Sequence, residues 1–464
     1  MNKLKEIAPE KIFLILSLIF GLLFVFITPP FQSPDENSHF LKAYSVSKGE
    51  IFPEVKNGKM GNYFPKEYLN YITEKETYAI NFDKKYSYRE FYNDQLLEIN
   101  YKDVVFHGYA TQEVFPIFYI VPAVGMIFGK VLMRIFNIIG AGPAFLLYCA
   151  RIASLLFSTF IIYQAIKLSP KFKKTISIIC LIPMTLFLFS MVTYDNLIIP
   201  MSILGIVLML KLIYEKEYMF TKKNTLMLGL IAFTLLNLKV FYSFIFVLMF
   251  FIPKEKYKFK NNNKLLCILL FAISIILVTI LFKIPNILIN RNIDAIESPS
   301  NLYYLINNPI KYISVLYRSI ISNRLFLLCS TIGVFGLLDC YLPIVIIFFY
   351  YIYLIILFLA DGNKNNINKK IKFFIFLGSI LTFIGIFTVM YISWTPAVVQ
   401  GNATQTISGV QGRYFLPLLF PMALIFSNNI KNKGLFEFVK KYYIVYPFIC
   451  LLFSILVLFI RFWD

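Results

Sequence analysis

Long apolar runs alternate with short polar stretches along nearly the whole chain of 464 residues. Each run approaches the roughly 20 residues that an α-helix needs to cross about 30 Å of hydrocarbon. Because polarity does not alternate within the runs, they do not resemble the strands of a membrane barrel. The pattern predicts an all-α polytopic fold, one integral-membrane domain over residues 1–464. Eleven crossings are predicted, at 12–28, 143–165, 175–192, 196–213, 223–237, 239–253, 265–283, 341–360, 371–392, 412–427 and 442–462.

One long polar segment, residues 29–112, follows the first apolar run, which Pro29 and Pro30 end because proline cannot continue a helix. From Phe31 to Gln112 it carries ten Lys or Arg and twelve Asp or Glu, whereas the short loops are basic. Basic loops stay in the cytoplasm, so this segment is predicted outside and the N-terminus inside. Within it, residues 35–48 are predicted to form a helix lying at the membrane interface. Further outer segments are predicted at 285–340 and 393–412.

Residues 114–139 are apolar but contain two prolines, Lys130 and Arg134. A crossing there would place the later lysines, beginning with Lys167, outside. We therefore predict an interfacial or re-entrant segment. The apolar piece at 332–338, within the stretch 324–340, is likewise predicted to enter the membrane without crossing it.

Composition and motifs argue against nucleic-acid binding, metal sites and bound cofactors. Apolar residues make up 58% of the chain and charged residues 15%, and the net charge is +20. Lys and Arg sit in short clusters between apolar runs, as in a membrane protein, so no nucleic-acid partner is predicted. The six cysteines are dispersed without a C-x-x-C pair, which predicts no metal site. Because Walker, dinucleotide-binding and H-E-x-x-H motifs are also absent from the sequence, no cofactor is predicted.

Two adjacent carboxylates, Asp35 and Glu36, are candidates for a general base that deprotonates an attacking hydroxyl. The alternative is a helix N-cap, which is common for Asp after proline. His39 lies four residues after Asp35, so on a helix it shares a face with these acids and is a candidate to bind a carboxylate or a phosphate.

A second candidate site is Gln411-Gly412-Arg413-Tyr414, at the predicted outer end of a span. Arg413 suits bidentate phosphate binding, and the alternative is that it extends to the lipid headgroups. Charges at membrane depth are costly and tend to be paired or functional. The remaining candidates of this kind are Asp195, Lys239, Asp339 and Arg151, the last expected to pair with an acid inside the protein.

Several of these stretches resemble motifs of a widespread bacterial membrane-protein family of unknown function, grouped with the GT-C glycosyltransferases. The similar stretches occur in family order over nearly the whole chain. They are 29–31, 34–36 with 39–40, 115–119, 194–196, Lys239 with Tyr242, 336–339 and 409–417.

The resemblance implies a multispanning helical fold that transfers a sugar from a polyprenyl-phosphate donor on the outer face of the cell membrane. It implies Asp35, with Glu36 as neighbour or substitute, as the catalytic carboxylate, and Arg413 with Lys239 as contacts of the donor phosphate. His39, Gln411, Tyr414, Asp195 and Asp339 are then candidate substrate contacts. The expected acceptor is a cell-surface glycan or its lipid-linked precursor, and inversion is expected at the anomeric carbon. A transporter (flippase) or a polymerase of lipid-linked glycans is the alternative.

Overall fold

The structure is a computed structural model that describes residues 7–136, 142–257, 264–290, 300–362, 366–398, 405–427 and 433–463. Parts of the predicted outer segments 285–340 and 393–412 lie outside these residues. The described chain is mostly helical. The α-helices are α1 (Pro9–Ile27), α2 (Glu36–Ser47), α3 (Lys66–Ile80), α4 (Tyr88–Gln95), α5 (Ile120–Ile135), α6 (Pro143–Leu168), α7 (Lys173–Cys180), α8 (Pro183–Phe189), α9 (Asp195–Tyr214), α10 (Lys222–Leu238), α11 (Lys264–Asn290), α12 (Ser300–Asn307), α13 (Pro309–Ile332), α14 (Ile344–Gly362), α15 (Lys369–Val389), α16 (Thr395–Val398), α17 (Leu416–Ile425), α18 (Lys433–Tyr442) and α19 (Val445–Phe462).

Short elements complete the fold. The 3-10 helices are Pro116–Tyr119, Val240–Phe251, Lys254–Lys256 and Gly412–Phe415, and Met390–Trp394 is a π-helical turn. The strands are β1 (Glu54–Lys56), β2 (Lys59–Pro65), β3 (Val104–His107), β4 (Val334–Phe335) and β5 (Cys340–Tyr341).

Eight helical segments in the described chain are long and apolar enough to cross a membrane, which confirms a polytopic membrane fold. Seven of them overlap predicted spans. The eighth, Pro116–Ile135, is the segment for which the charge pattern predicted an interfacial or re-entrant position. Its length and composition are sufficient for a crossing, and the interfacial or re-entrant position stays a prediction.

Four predicted spans are not among these eight segments. Two of them, 223–237 and 239–253, are separate helices as predicted, and the other two are divided further. Pro183 starts α8 directly after α7, so the predicted span 175–192 is two short helices. Lys239 has an extended backbone, with φ −152° and ψ 94°, and separates α10 from the 3-10 helix Val240–Phe251. The predicted span 412–427 consists of a 3-10 turn followed by α17.

Close helix packing is clearest between α5 and α6. Gly125 and Gly129 lie one turn apart on α5 and both face Cys149 of α6. A Cβ at Gly125 would lie 2.5 Å from the Cys149 carbonyl oxygen, and one at Gly129 would lie 2.9 Å from its sulfur. Small residues four positions apart allow membrane helices to approach this closely.

The polar segment 29–112 forms a three-stranded sheet and the helices α2, α3 and α4. Strands β1, β2 and β3 form an antiparallel sheet, and Lys56 pairs with Lys59 across the Asn57-Gly58 turn. Both turn residues have positive φ, as a two-residue type I′ hairpin requires. Beside the sheet, the buried Lys75 ammonium contacts Glu90 at 2.6 Å and Asp94 at 3.0 Å. Helix α2, predicted from the sequence, is confirmed, but most of its side chains are buried in protein.

Candidate functional site

The turn between α1 and α2 places Asp35 in an unusual conformation. Its φ is 63°, in the left-handed region, and Phe31 in the same turn has φ 62°. Residues other than glycine adopt this region at a cost, although Asp tolerates it better than most. Asp35 occupies the N-cap position of α2, yet its side chain makes no capping hydrogen bond. The carboxylate points instead to Arg413 and is about half exposed, at 53%.

Close packing on α13 positions Arg413. A Cβ on the preceding Gly412 would lie 2.1 Å from the Leu327 carbonyl oxygen and 2.5 Å from the Thr331 nitrogen. The Gly412 amide also donates a hydrogen bond to the Ser330 hydroxyl at 2.7 Å. The glycine therefore permits approach of the α13 backbone, and this contact fixes the 3-10 turn that carries the arginine.

Four charged side chains, Asp35, Asp195, Lys239 and Arg413, form what we call the charge cluster. Arg413 Nη2 donates to Asp35 Oδ2 at 3.0 Å, a contact between residues 378 positions apart. Arg413 Nε lies 3.8 Å from Asp195 Oδ2, and Lys239 Nζ lies 3.7 Å from Asp195 Oδ1. Asp195, the first residue of α9, thus bridges the two cations, while Asp35 reaches only the arginine.

Buried polar atoms of the charge cluster lack hydrogen-bond partners among the described residues, the acceptor Asp195 Oδ2 among them. Arg413 Nε and Nη1 and Lys239 Nζ are buried and find no hydrogen-bond partner among the described residues. Leaving a charged buried donor unpaired costs free energy, on the order of 1–3 kcal/mol or more per group. Two neighbouring cations with three such nitrogen atoms form a site suited to an anionic ligand.

Aromatic side chains surround Lys239. Its Nζ lies 3.9 Å from the ring centre of Tyr414 and 5.1 Å from that of Tyr194. The Tyr242 hydroxyl donates to the Tyr414 carbonyl oxygen at 2.6 Å and so ties the 3-10 helix Val240–Phe251 to the turn that carries Arg413. Cation–π contacts thus add to the ion pair that holds Lys239 beside Asp195.

His39 borders the charge cluster. Its Nδ1 lies 2.7 Å from the Tyr119 hydroxyl, and its ring packs edge-on against Tyr194 with centres 4.8 Å apart. Burial lowers the pKa of His39 from 6.5 to about 4, and the attraction of Asp35 and Asp195 offsets this only in part. The imidazole is therefore neutral at physiological pH, and it hydrogen-bonds a tyrosine rather than a carboxylate.

Glu36 makes a separate set of contacts. Its carboxylate is fully buried and accepts from Arg151 Nε at 2.9 Å, from Arg151 Nη2 at 2.6 Å and from the Val192 amide at 3.1 Å. The same guanidinium donates to the carbonyl oxygens of Val25, Thr28 and Pro29. The expected pairing of Arg151 with an internal acid is confirmed. Glu36 thereby joins the end of α1, α6 and the chain before α9, with both of its oxygens occupied.

The two remaining candidates are Asp339 and Gln411. Asp339 accepts from Arg461 Nε and Nη2, both at 2.8 Å, and anchors α19 to the β4–β5 hairpin. Its ion pair is with Arg461, not with the charge cluster, and the predicted membrane-entering piece around it is this hairpin. Gln411 precedes Gly412, and its Oε1 is buried without a hydrogen-bond partner among the described residues.

A cavity of about 450 Å³ opens beside the charge cluster. Tyr194, Lys239 and Tyr414 line it from the cluster side, and apolar side chains form much of the remaining wall. Lys283 of α11 also lines it, a residue that sequence reasoning did not single out. Tyr119 was missed as well, although it lies in the 115–119 stretch. Within the described chain, no group of three or more His, Cys, Asp or Glu is placed to hold a metal ion.

Comparison with known proteins identifies the family but no activity. The family model described as "Predicted membrane protein (DUF2142)" matches residues 18–422. Neither a curated protein nor a solved structure matches the chain.

Proposed function

We propose that this chain, which belongs to the predicted membrane protein family DUF2142, is a glycosyltransferase that uses a polyprenyl-phosphate sugar donor. The observation that carries the proposal is the charge cluster. A half-exposed carboxylate, Asp35, lies 3.0 Å from a buried arginine, two of whose nitrogen atoms have no hydrogen-bond partner among the described residues. General base and phosphate-binding cation are thus adjacent, as transfer from a phosphate donor requires.

In the proposed reaction the acceptor hydroxyl attacks the anomeric carbon of the donor sugar, and its proton passes to Asp35. The bond between the anomeric carbon and the phosphate oxygen breaks, and the phosphate leaves with the electron pair. Arg413 Nε and Nη1 and Lys239 Nζ stabilise the charge on that phosphate. Because Nη2 is the atom that contacts Asp35, the arginine can hold the base and the phosphate simultaneously.

The proposal divides the roles of the two adjacent acids. Asp35 is assigned as the base, since Glu36 has both oxygens engaged by Arg151 and Val192. His39 and Tyr414 are assigned to positioning around the cluster. We place the site on the outer face of the cell membrane, because the polar segment that carries Asp35 is slightly acidic whereas the short loops are basic. The acceptor is then a cell-surface glycan or its lipid-linked precursor.

The test is complementation of a deletion strain, with the mass of the surface polysaccharide as readout. Deletion should remove the mass of one sugar, and the unmodified gene should restore it. Asp35→Asn should lower transfer by roughly 10²–10⁴-fold, the usual contribution of a general base. Asp83→Asn, which changes an exposed acid of the same polar segment, is the matched control and should restore transfer fully.

Normal transfer by Asp35→Asn at equal protein level would refute the assignment. If deletion leaves every sugar in place but accumulates lipid-linked glycan on the cytoplasmic side, the flippase alternative is favoured instead. A change in polymer length alone would favour the polymerase.

A further inference from the structure

Three cavities adjoin along α10, α11 and the 3-10 helix Val240–Phe251. The first is the 450 Å³ cavity beside the charge cluster, and it shares Leu236 with a second cavity of about 500 Å³. The second shares Phe271 and Ile275 with a third, of about 520 Å³, which ends at Thr221 and Lys222. We call this row of three adjoining cavities the α10–α11 cleft.

The α10–α11 cleft is polar at its ends and apolar between them. Lys239 and Lys283 line the end at the charge cluster, and Lys222 lines the other. The middle cavity is walled almost entirely by apolar side chains, with Ala232 and Ala272 leaving room on the two helices. The α10 residues that line the three cavities lie between Lys222 and Leu238, 17 residues or about 25 Å along the helix, which is close to the thickness of the hydrocarbon layer.

The cleft is also open to the surrounding membrane. In the apolar part of α11, Lys264–Leu281, only 11% of the residues are buried, so this helix stands at the edge of the protein. Lys283 lies just beyond that part, 19 residues after Lys264. A helix carries these two residues about 28 Å apart along its axis, which puts Lys283 at the membrane face opposite Lys264.

From this arrangement we infer that the α10–α11 cleft binds the isoprenoid chain of the donor, with Lys283 as a second cation for its phosphate. This inference rests on the proposed function and identifies the helices that would bind the lipid part of the donor. Lys239 Nζ, which has no hydrogen-bond partner among the described residues, lies at the polar end of this row of largely apolar cavities. A phosphate on a single long hydrocarbon chain matches both features. The donor enters sideways from the bilayer, between α11 and the 3-10 helix.

The test measures equilibrium binding of radiolabelled undecaprenyl phosphate and of the short-chain farnesyl phosphate. It uses the full-length protein in phosphatidylcholine nanodiscs. Ala272→Trp fills the middle cavity and should weaken binding of undecaprenyl phosphate several-fold while leaving farnesyl phosphate unchanged. Ile273→Trp, at the next position of α11 and 51% exposed, is the matched control and should bind both lipids normally. Lys283→Gln should weaken both lipids about fivefold, as for loss of an ion pair near the surface.

Three results would overturn the inference: unchanged binding in Ala272→Trp, equal loss of both lipids in that variant, or displacement of undecaprenyl phosphate by an equal amount of phosphatidylglycerol. The last result would identify the cleft as a site for ordinary bilayer lipid. The proposed function is tested separately, since Asp35→Asn should bind undecaprenyl phosphate at least as tightly, because a negative charge beside Arg413 is removed, and should fail only in transfer.

Discussion

Substitutions of the adjacent acids Glu36 and Asp35 should affect different properties, stability for Glu36 and sugar transfer for Asp35. Glu36 and Arg151 are both fully buried, and the guanidinium is held by the carboxylate and by three backbone carbonyl groups. Replacing Glu36 by Gln preserves the shape but leaves the Arg151 charge uncompensated and turns an amide toward Nη2 or Nε. Removing one partner of a buried pair costs roughly 3–5 kcal/mol. Because the glutamine oxygen can still accept one hydrogen bond, we expect a loss near 3 kcal/mol.

Asp35→Asn should change the free energy of unfolding by less than about 1 kcal/mol. Its carboxylate is 53% exposed, and the asparagine oxygen can still accept from Arg413. The two neighbouring substitutions therefore separate a structural acid from a catalytic one: Glu36→Gln loses stability, and Asp35→Asn loses transfer.

The measurement is an SDS unfolding titration of the purified protein in detergent micelles, followed by tryptophan fluorescence. Trp463 is a suitable reporter because its Nε1 donates to the Ile27 carbonyl oxygen, at the end of α1 that Arg151 also holds. The double variant of Glu36→Gln with Arg151→Met should cost less than the sum of the two single changes. Two results would contradict these roles. One is a free energy of unfolding for Glu36→Gln within about 1 kcal/mol of that of the unmodified protein, and the other is an equal loss of stability in Asp35→Asn.

Two other predictions concern the surroundings of the charge cluster. Gly412→Ala brings a Cβ to 2.1 Å from a carbonyl oxygen of α13, so we expect a loss of about 1–3 kcal/mol in the same titration and reduced transfer. Gly434→Ala, with no atom within 4 Å of the new Cβ, should change neither. The pKa of His39 is about 4 when folded and 6.5 when unfolded, so the unfolded chain binds more protons between these values. Stability should therefore fall as the pH drops from 6.5 to 4, and His39→Gln should show a smaller fall, whereas an equal fall in both proteins would contradict the burial argument.

Much of the membrane architecture was accessible from hydropathy, because long apolar runs satisfy their backbone groups only as helices. The breaks were harder to predict. Lys239 was recognised as a turn between two segments, but the 3-10 geometry that follows it depends on packing against α15 and α9. One local signal was overlooked: Asn57-Gly58 is a strong hairpin motif, and it forms the β1–β2 turn.

Sequence motifs named most of the charge cluster but not its arrangement. The contact between Asp35 and Arg413 joins the first polar turn to the last part of the family match, and nothing local encodes it. The different roles of Asp35 and Glu36 could not be predicted from the sequence either. It depends on the left-handed backbone at Asp35 and on Arg151, which lies 115 positions from Glu36.

The 3-10 helix Val240–Phe251 has a mechanical consequence. With three residues per turn, Tyr242, Ile245 and Leu248 form one straight buried ridge. Compared with an α-helix, each of its 12 residues advances about 0.5 Å further and turns about 20° more. Conversion of this segment to an α-helix would shorten it by about 6 Å and rotate one end against the other by roughly 240°. The rise per residue of the 3-10 helix thus sets the distance between Lys239 and the opposite membrane face.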